Sequence, residues 1–306
     1  MAIHIMDAGA ELFQNNPMSV ICSIVCDHEQ QCAGHCVLGK KGNPVHFSSI
    51  ENYISDTYLD RMKLQIPEEK KKPVAVIGEG PAGLTVAIIL AQHGYKVTIF
   101  EQQDKIGGIT RYGIPEFRLP KSILDRLEKQ ILAMGIRIRP HTAIGTVLTI
   151  DDLFRDGYAS VFVGTGVWKA RNLGIPGECL ANVHFGIDYL ENPAAYDLGE
   201  KVAIIGMGNA AMDVARTALR NGALQVEADS TIIAISQGPR NRLIRTTVGL
   251  EGSDKGLLIV DENEMTTREG VFAAGDVVHG SKTVVHAVEQ AKKAAVAMSA
   301  YMEKES

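Results

Sequence analysis

The stretch Val74-Ala-Val-Ile-Gly-Glu-Gly-Pro-Ala-Gly83 decides the fold of this chain. Its apolar residues predict a buried strand, and the Gly-x-Gly-x-x-Gly pattern predicts a sharp turn into a helix. Gly78 allows the tight turn, Gly80 lets the backbone approach a pyrophosphate, and Gly83 lets the helix pack closely on the strand. The helix N-terminus then offers free N–H groups and a positive dipole end to phosphates.

Glu101 follows the next predicted strand, Val97–Phe100, and lies 18 residues after Gly83. An acidic side chain at this place accepts hydrogen bonds from the ribose hydroxyls of an adenosine. A glycine loop by itself is weak evidence, because glycine turns are common. The strand, loop, helix, strand and terminal Glu in register favour a nucleotide site over a purely structural βαβ unit.

Two further patterns indicate that the nucleotide is FAD. The pair Gly107-Gly108 follows Glu101 at a spacing that places a second glycine turn along a dinucleotide. Near the C-terminus, Gly270–Asp276 is an apolar strand that ends in Gly-Asp before a helix starting near Thr283. An aspartate there can bind a ribityl hydroxyl. Alone, Asp276 would be interpreted as a turn or cap residue.

Composition limits the other functions. The chain has 306 residues, 45% hydrophobic and 22% charged, with a formal net charge of -5. This charge argues weakly against nucleic acid as a partner, because phosphate binding needs a basic face. No apolar run reaches the roughly 18 residues needed to span a bilayer, so no membrane association is expected. No secretory leader is recognisable, and a cytoplasmic location with reduced cysteines is the default expectation.

The texture of the sequence predicts an α/β fold with an appended helical region. Residues 1–66 are predicted to form a small, mainly α-helical, Cys-rich domain, and 67–73 a linker. From Val74 onward, short β-branched runs alternate with glycine turns and amphipathic helices. The predicted strands are Val74–Ile77, Val97–Phe100, Ser160–Val163, Lys201–Ile205, Thr231–Ser236, Leu257–Val260 and Val271–Ala274.

Four cysteines lie within fifteen residues, in the pattern Cys22-x3-Cys26-x5-Cys32-x3-Cys36. Clustered thiolates suit an Fe–S cluster or zinc. Structural zinc sites favour CxxC pairs, which do not occur here, so the spacing favours an Fe–S cluster. Disulfides are disfavoured in a reducing compartment. Four simply buried cysteines remain the plain alternative.

Several segments carry a family resemblance. The segment Tyr112-Gly-Ile-Pro-Glu-Phe-Arg-Leu-Pro-Lys121, the motif Gly164-Thr-Gly166, the motif Leu173-Gly-Ile-Pro-Gly177 and the cysteine spacing resemble one group of flavoproteins. This group contains the small (β) subunit of glutamate synthase and the N-terminal half of dihydropyrimidine dehydrogenase. The resemblance implies a Rossmann-like FAD-binding domain, formed by residues 74–180 and 228–306.

The resemblance also implies the site residues. The residues expected to bind FAD are Gly78, Gly80, Pro81, Ala82, Gly83, Glu101, Gly107, Gly108, Arg118, Gly166, Gly275, Asp276, Thr283 and Val284. A [4Fe–4S] cluster is implied, with Cys26, Cys32 and Cys36 as ligands and either Cys22 or Glu51 as the fourth. Relative to the family the N-terminus is expected to be truncated, because the first of the family's two Cys groups is missing.

A second strand, loop and helix begin at Lys201. By resemblance, Gly206, Gly208, Asn209 and Ala210 would bind NADH or NADPH. Beyond Asn221-Gly-Ala223 the chain runs straight into the stretch that returns to the FAD domain, so residues 181–227 are expected to be only a remnant of an NAD(P)-binding domain. About 45 residues cannot form a complete domain of roughly 100 or more.

Together these features predict an NAD(P)H-dependent flavin oxidoreductase of the glutamate synthase small-subunit type. Electrons would pass from NAD(P)H through FAD, and through an Fe–S cluster, to a partner subunit or a ferredoxin-like acceptor. No cysteine pair lies within Ile106–Tyr112, where flavin disulfide reductases carry their redox dithiol. No catalytic acid or base is assigned, because hydride transfer to flavin needs none. The alternative is an FAD-binding electron-transfer or assembly subunit, or a truncated form, without a functional nicotinamide site.

Overall fold

The computed structural model describes residues 2–62, 67, 72–222 and 229–304. The α-helices of this part of the chain are α1 Ala2–Asn15, α2 Ser19–Val25, α3 Phe47–Arg61, α4 Pro81–Gln92, α5 Ile109–Tyr112, α6 Lys121–Ala133, α7 Ile150–Arg155, α8 Gly186–Glu191, α9 Asn209–Arg220, α10 Arg242–Thr246, α11 Asp276–His279 and α12 Val284–Lys304. The strands are β1 Pro73–Ile77, β2 Lys96–Phe100, β3 Arg137–Arg139, β4 Ser160–Val163, β5 Lys169–Ala170, β6 Val183–Phe185, β7 Val202–Ile205, β8 Ser230–Ile233, β9 Gln237–Gly238 and β10 Val271–Ala273.

The main sheet has five parallel strands in the order β10-β4-β1-β2-β3. Its central strands β1 and β4 are almost wholly apolar because helices and loops cover both faces of a parallel sheet. Helix α4 is apolar on nearly every side and packs against α12 as well as the sheet. These elements confirm the predicted α/β, Rossmann-like fold.

A smaller sheet has three parallel strands in the order β6-β8-β7, with α8 and α9 packed beside it. It has its own apolar cluster, which includes Tyr189, Val214 and Ile232. The predicted reduced second lobe is therefore confirmed. Strand β8, however, was predicted to belong to the FAD-binding domain at 228–306, and it pairs with β6 and β7 in this smaller sheet instead. The strand predicted at Leu257–Val260 is wrong, because this segment forms only isolated bridges, to Gly252 and to Thr266, and never a continuous ladder.

The N-terminal helices do not have a core of their own. Val20 and Ile21 of α2 and Tyr58 of α3 belong to the same buried cluster as the residues of α4 and α12. Arg126 of α6 pairs with Asp56 and Asp60 of α3 across this contact. The helical region is therefore packed onto the nucleotide-binding domain, and apolar burial is the main force that holds it there.

The proposed domain boundaries remain predictions. Most of the linker 67–73 and the boundary between 227 and 228 lie outside the described residues. None of the described helices is long and apolar enough to cross a membrane.

We predict that the N-terminal helices and the nucleotide-binding domain unfold together. Val20→Ala removes two buried methyl groups from the shared cluster and should cost about 2 kcal/mol. Far-UV circular dichroism and release of a bound flavin, followed during denaturation, should shift together.

The matched control is Val296→Ala in α12, where the valine is 64% exposed and the change should have little effect on stability. A separate early transition of the N-terminal helices in Val20→Ala would contradict the shared core.

Candidate functional site

The first glycine loop connects β1 to α4 and is held by close backbone packing. Gly78 has φ +93°, a conformation that disfavours other residues. A Cβ on Gly78 would lie 2.7 Å from the carbonyl oxygen of Gly164, and one on Gly83 only 1.9 Å from the carbonyl oxygen of Gly78. Gly80 precedes α4 with open space beside it, so a ligand can reach the start of the helix.

Glu101 stands at the end of β2 and is fixed by two backbone donors. The amide of Glu79 donates to its Oε2 and the amide of Gln103 to its Oε1, both at 2.9 Å. A carboxylate has about four acceptor positions, so two remain for further donors. The side chain is buried and lines the cavity described below, which suits hydrogen bonds to ribose hydroxyls.

Asp276 comes from the C-terminal part of the chain and lines the same cavity as Glu101. It follows β10 and begins α11, and its Oδ1 accepts the amide of Lys282 at 3.1 Å. Burial raises the pKa of this carboxyl to about 6. Gly275, with φ +79°, precedes it, and a Cβ on this glycine would lie 3.2 Å from Cβ of Ala82 in α4.

One cavity of about 650 Å³ brings these segments together. Of the fourteen residues predicted to bind FAD, ten line this cavity. They are Gly78, Gly80, Pro81, Ala82, Glu101, Gly108, Gly166, Asp276, Thr283 and Val284. Its long lining, with a glycine loop, a ribose-type carboxylate and a second carboxylate, fits an extended dinucleotide such as FAD.

The other four predicted FAD residues do not line the cavity. Gly83 packs α4 against the loop, and the amide of Gly107 donates to the carbonyl of Glu79 at 3.1 Å. The Gly275 amide donates to Oε1 of Gln290 at 3.1 Å. Gly83, Gly107 and Gly275 therefore hold the cavity-lining segments in place without lining the cavity themselves.

Arg118, which is predicted to bind FAD, forms an ion pair with an aspartate of the second lobe in this structure. Its guanidinium donates to Oδ2 of Asp213 in α9 at 2.5 Å, and it does not line the cavity. Asp213 is buried, which raises the pKa of its carboxyl, while Arg118 lowers it. The pair therefore ties the segment after α5 to the second lobe, which the sequence motif alone could not indicate.

Several lining residues were not predicted. Trp168 and the segment 142–145 line the cavity, as do three arginines of the basic loop after β9, namely Arg240, Arg242 and Arg245. A Cβ on Gly145 would touch Oγ1 of Thr246 at 3.1 Å, so α10 lies directly against this segment. The basic segment that contains these arginines is visible in the sequence. Its position beside the cavity depends on the contact between Thr246 and Gly145, which lie about a hundred residues apart in the chain.

Glu79 lies in the middle of the first loop and is fully buried. Neither carboxyl oxygen has a hydrogen-bond partner among the described residues. Burial, and after it the nearby Glu101, raises the pKa of this carboxyl to about 8. Glu128 and Asp104 raise the pKa further and Arg111 opposes them. This raised pKa favours the neutral form of Glu79 at pH 7.

The second glycine loop is far more open than the first. Gly206 has φ +150°, and Gly208, Asn209 and Ala210 are exposed at the start of α9. Nothing lies within 4 Å of a Cβ placed on Gly208. The backbone can receive a phosphate at this helix start, and the twelve-residue α9 supplies a dipole end there.

A second cavity lies beside the C-terminal part of the cysteine segment. Cys32 and Cys36 line this open cavity of about 520 Å³, and the amide of Val45 donates to Sγ of Cys36 at 3.4 Å. Cys22, by contrast, is buried, which raises the pKa of its thiol to about 12. Among the described residues, no group of three His, Cys, Asp or Glu side chains is placed to hold a single metal ion. The donor chemistry fits an Fe–S cluster, and the hydrogen bond to Cys36 is of the kind that tunes cluster sulfurs.

The fold and the main cavity define a class of protein: a flavin-binding oxidoreductase with two nucleotide-type lobes. The chain belongs to the pyridine nucleotide-disulphide oxidoreductase family, whose model matches residues 37–152, 72–227 and 217–291. A second model, dihydropyrimidine dehydrogenase domain II, 4Fe-4S cluster, matches residues 2–63. These matches confirm the predicted class of cofactors, namely FAD, a nicotinamide nucleotide and a [4Fe–4S] cluster.

Curated relatives confirm the sequence resemblance. The small chain of glutamate synthase [NADPH] from Halomonas elongata is 28% identical, with 98% of this chain and 83% of the relative covered. The NAD-dependent dihydropyrimidine dehydrogenase subunit PreT from Salmonella typhimurium is 29% identical, with 97% and 85% covered. The H. elongata alignment runs over 397 positions although this chain has 306 residues, so at least 91 positions of the relative have no counterpart here.

Solved structures agree on the fold. FprA from Mycobacterium tuberculosis has a TM-score of 0.64 at 14% identity, covering 76% of this chain and 85% of that one. The thioredoxin reductase from T. acidophilum has a TM-score of 0.58 at 18% identity, covering 77% and 100%. At these identities the likeness concerns the fold alone.

We predict that Gly83→Ala disables the FAD cavity. The new Cβ would overlap the carbonyl of Gly78, so α4 must move away from the loop, and FAD affinity should fall by about tenfold or more, roughly 1.4 kcal/mol. Equilibrium dialysis of FAD against the deflavinated protein measures this.

Gly208→Ala in the second loop is the matched control, because its Cβ meets nothing within 4 Å and its backbone is extended. Equal FAD affinity in the two variants would show that the packing of Gly83 does not shape the site.

We predict a pH-dependent stability that comes from Glu79. Its pKa in the folded protein is about 8, above the ordinary value of 4.5. The contribution of Glu79 to the free energy of unfolding is therefore fully present below pH 4.5 and is lost as the pH rises towards 8. Glu79→Gln cannot ionise. Its melting temperature should therefore fall less than that of the wild type between about pH 5 and about pH 9.

The control is Glu200→Gln, at an exposed position, which should follow the wild-type pH profile. Parallel profiles for the wild type and Glu79→Gln would disprove the role of Glu79.

Proposed function

We propose that this chain is an electron-transfer subunit that uses FAD to pass reducing equivalents from NAD(P)H to a partner protein. The observation that carries the proposal is the cavity of about 650 Å³, in which residues from both ends of the nucleotide-binding domain meet. An oxidoreductase function at the family level is shown by the matched models. The donor, the route and the partner are the proposed parts.

The residues of this chain would hold the flavin nucleotide in three places. The amides at the start of α4, beside Gly80, would receive the diphosphate. Glu101 would accept the adenosine ribose hydroxyls, and Asp276 would accept a ribityl hydroxyl. When bound, FAD supplies two-electron chemistry with nicotinamides and one-electron chemistry with metal clusters.

The five cysteines support an acceptor outside the flavin site. They are Cys22, Cys26, Cys32, Cys36 and Cys179, all of them free thiols. None of them lines the main cavity, so no dithiol is available beside a bound flavin. Despite the name of the family, disulfide reduction at the flavin is therefore not the activity we propose. Electrons would leave through a cluster held by Cys26, Cys32 and Cys36, with Cys22 or Glu51 as the fourth ligand.

The partner is proposed from the relatives, whose names describe subunits of larger enzymes. An acceptor subunit or a ferredoxin-like protein suits a chain that delivers electrons rather than converting its own substrate. We place this activity in the cytoplasm and assign neither nucleic acid nor membrane as partner. The helical region 1–66 would be the cluster-binding unit of the assembly.

A second candidate function is favoured by the exposed second loop and by the small sheet beside it. This candidate is an FAD-binding electron-transfer or assembly subunit without a nicotinamide site. Such a subunit does not require a complete second nucleotide-binding lobe, so the small three-stranded sheet is sufficient for it. Stopped-flow mixing of the flavin-loaded protein with NADH and with NADPH separates the two candidates. Rapid bleaching of the flavin by either nucleotide rules out the second candidate, and a purified protein that cannot bind flavin contradicts both.

We predict that Cys32→Ser lowers the iron content of anaerobically purified protein and weakens its broad visible absorption, because a hydroxyl is a poor substitute for a thiolate ligand. Iron analysis and the visible spectrum measure the effect.

Cys179→Ser is the matched control, since this exposed cysteine lies far from the cysteine segment in the sequence. Iron content that is equally low in the wild type and in both variants would refute the cluster.

A further inference from the structure

The two glycine loops of this chain can be compared bond by bond. In the first unit the amide of Gly164, just after β4, donates to the carbonyl of Ile77 at 2.8 Å. In the second unit the amide of Ala234, just after β8, donates to the carbonyl of Ile205 at 2.8 Å. Strand β8 therefore stands beside β7 as β4 stands beside β1.

The glycine contacts give the same correspondence. A Cβ on Gly78 would meet the carbonyl of Gly164, and a Cβ on Gly206 would meet the carbonyl of Ala234 at 2.3 Å. Each loop thus leans on the residue that follows the neighbouring strand. The strand that follows α9 is β8, which occupies the position of β4 in the first unit. The strand that follows α4 is β2, which pairs with the other edge of β1.

The other edge of each loop strand is where the two units differ. In the first unit β2 pairs with β1, the amide of Gly78 donates to the carbonyl of Phe100 at 2.9 Å, and Glu101 follows. In the second unit β7 is the last strand in the order β6-β8-β7. Within the described part of the chain, no strand pairs with its outer edge, and the place of Glu101 has no counterpart.

This place is the one that distinguishes nicotinamide nucleotides. The end of the second strand carries an acid for the ribose 2′-OH of NAD, or lies near an Arg that accommodates the 2′-phosphate of NADP. The arginines of α9 have other contacts: Arg216 lies 3.7 Å from Asp213, and Arg220 lies 3.8 Å from the ring centre of Phe117.

We infer that the second loop receives a nicotinamide nucleotide through its phosphate and nicotinamide portions only and does not discriminate NADH from NADPH. This inference rests on the proposed function, because it concerns the donor of that reaction. Among the residues that the structure describes, no strand-end side chain is placed to bind the adenosine half, so we expect this half to contribute little affinity. Reduced nicotinamide mononucleotide, which lacks that half, should therefore serve almost as well as either dinucleotide.

The test uses the flavin-loaded full chain in two measurements. Calorimetric titration of the oxidised protein compares binding of NAD⁺, NADP⁺ and nicotinamide mononucleotide. Stopped-flow bleaching of the flavin compares the three reduced forms at equal concentrations. We expect dissociation constants and second-order rate constants that agree within about threefold among the three nucleotides, since each tenfold would represent about 1.4 kcal/mol of discrimination.

Gly208→Val provides the second arm of the test. The site has room for the side chain, so the protein should fold and keep its flavin, but the backbone can no longer approach a phosphate. Binding of all three nucleotides should weaken in parallel, by about tenfold or more. Unchanged binding in this variant would show that the nucleotides bind elsewhere and would overturn the inference.

The other outcomes are equally decisive. A preference above about tenfold for NADH or NADPH, or for both over the mononucleotide, overturns the inference and leaves the proposed function intact. A flavin-loaded protein that binds none of the three overturns the inference and favours the subunit without a nicotinamide site. A protein that cannot bind flavin refutes the proposed function itself.

Discussion

The close approach of three backbone segments at the first glycine loop is the constraint on which the rest of the structure depends. Gly83 sits against the carbonyl of Gly78, and Gly78 against that of Gly164. Because no side chain fits between them, α4 starts directly at the sheet, and its first residues, Pro81 and Ala82, line the cavity. The remaining elements complete the site around this contact: β2 presents Glu101, and β10 presents Asp276 from the far end of the chain.

The elements predicted from local pattern were the most reliable. The strand, loop and helix around Gly78, the carboxylate Glu101 and the Gly-Asp pair at the start of α11 all lie where their motifs indicate, because each motif encodes its own geometry. Arg118 was assigned by analogy to a motif, and its ion pair with Asp213 could not be inferred because the pairing depends on how two lobes pack. Trp168 and the arginines around α10 were missed for the same reason.

The cysteine segment shows a different limit. Spacing and residue type predict ligands, and the family model over residues 2–63 supports a cluster without assigning them. In the structure Cys22 is buried among apolar side chains, while Cys32 and Cys36 face an open cavity. Helices α1, α2 and α3 also share one buried cluster with α4 and α12, so the N-terminal region and the FAD-binding domain have a common hydrophobic core. The amino-acid composition of the sequence changes near residue 67. This change does not correspond to a boundary in the packing, because the hydrophobic core continues across it.

The long return of the chain to α12 has a consequence for how the protein is made. Helix α4 is apolar almost all round, and α12 is one of the elements that cover it. During synthesis, about 200 residues separate the appearance of the glycine loop from that of its cover, an interval of roughly 10–40 s at about 5–20 residues per second. Over this interval the apolar helix α4 has no α12 to cover it, and the cavity lacks the lining that Asp276, Thr283 and Val284 supply. The complete cavity can therefore form only when synthesis has reached α12.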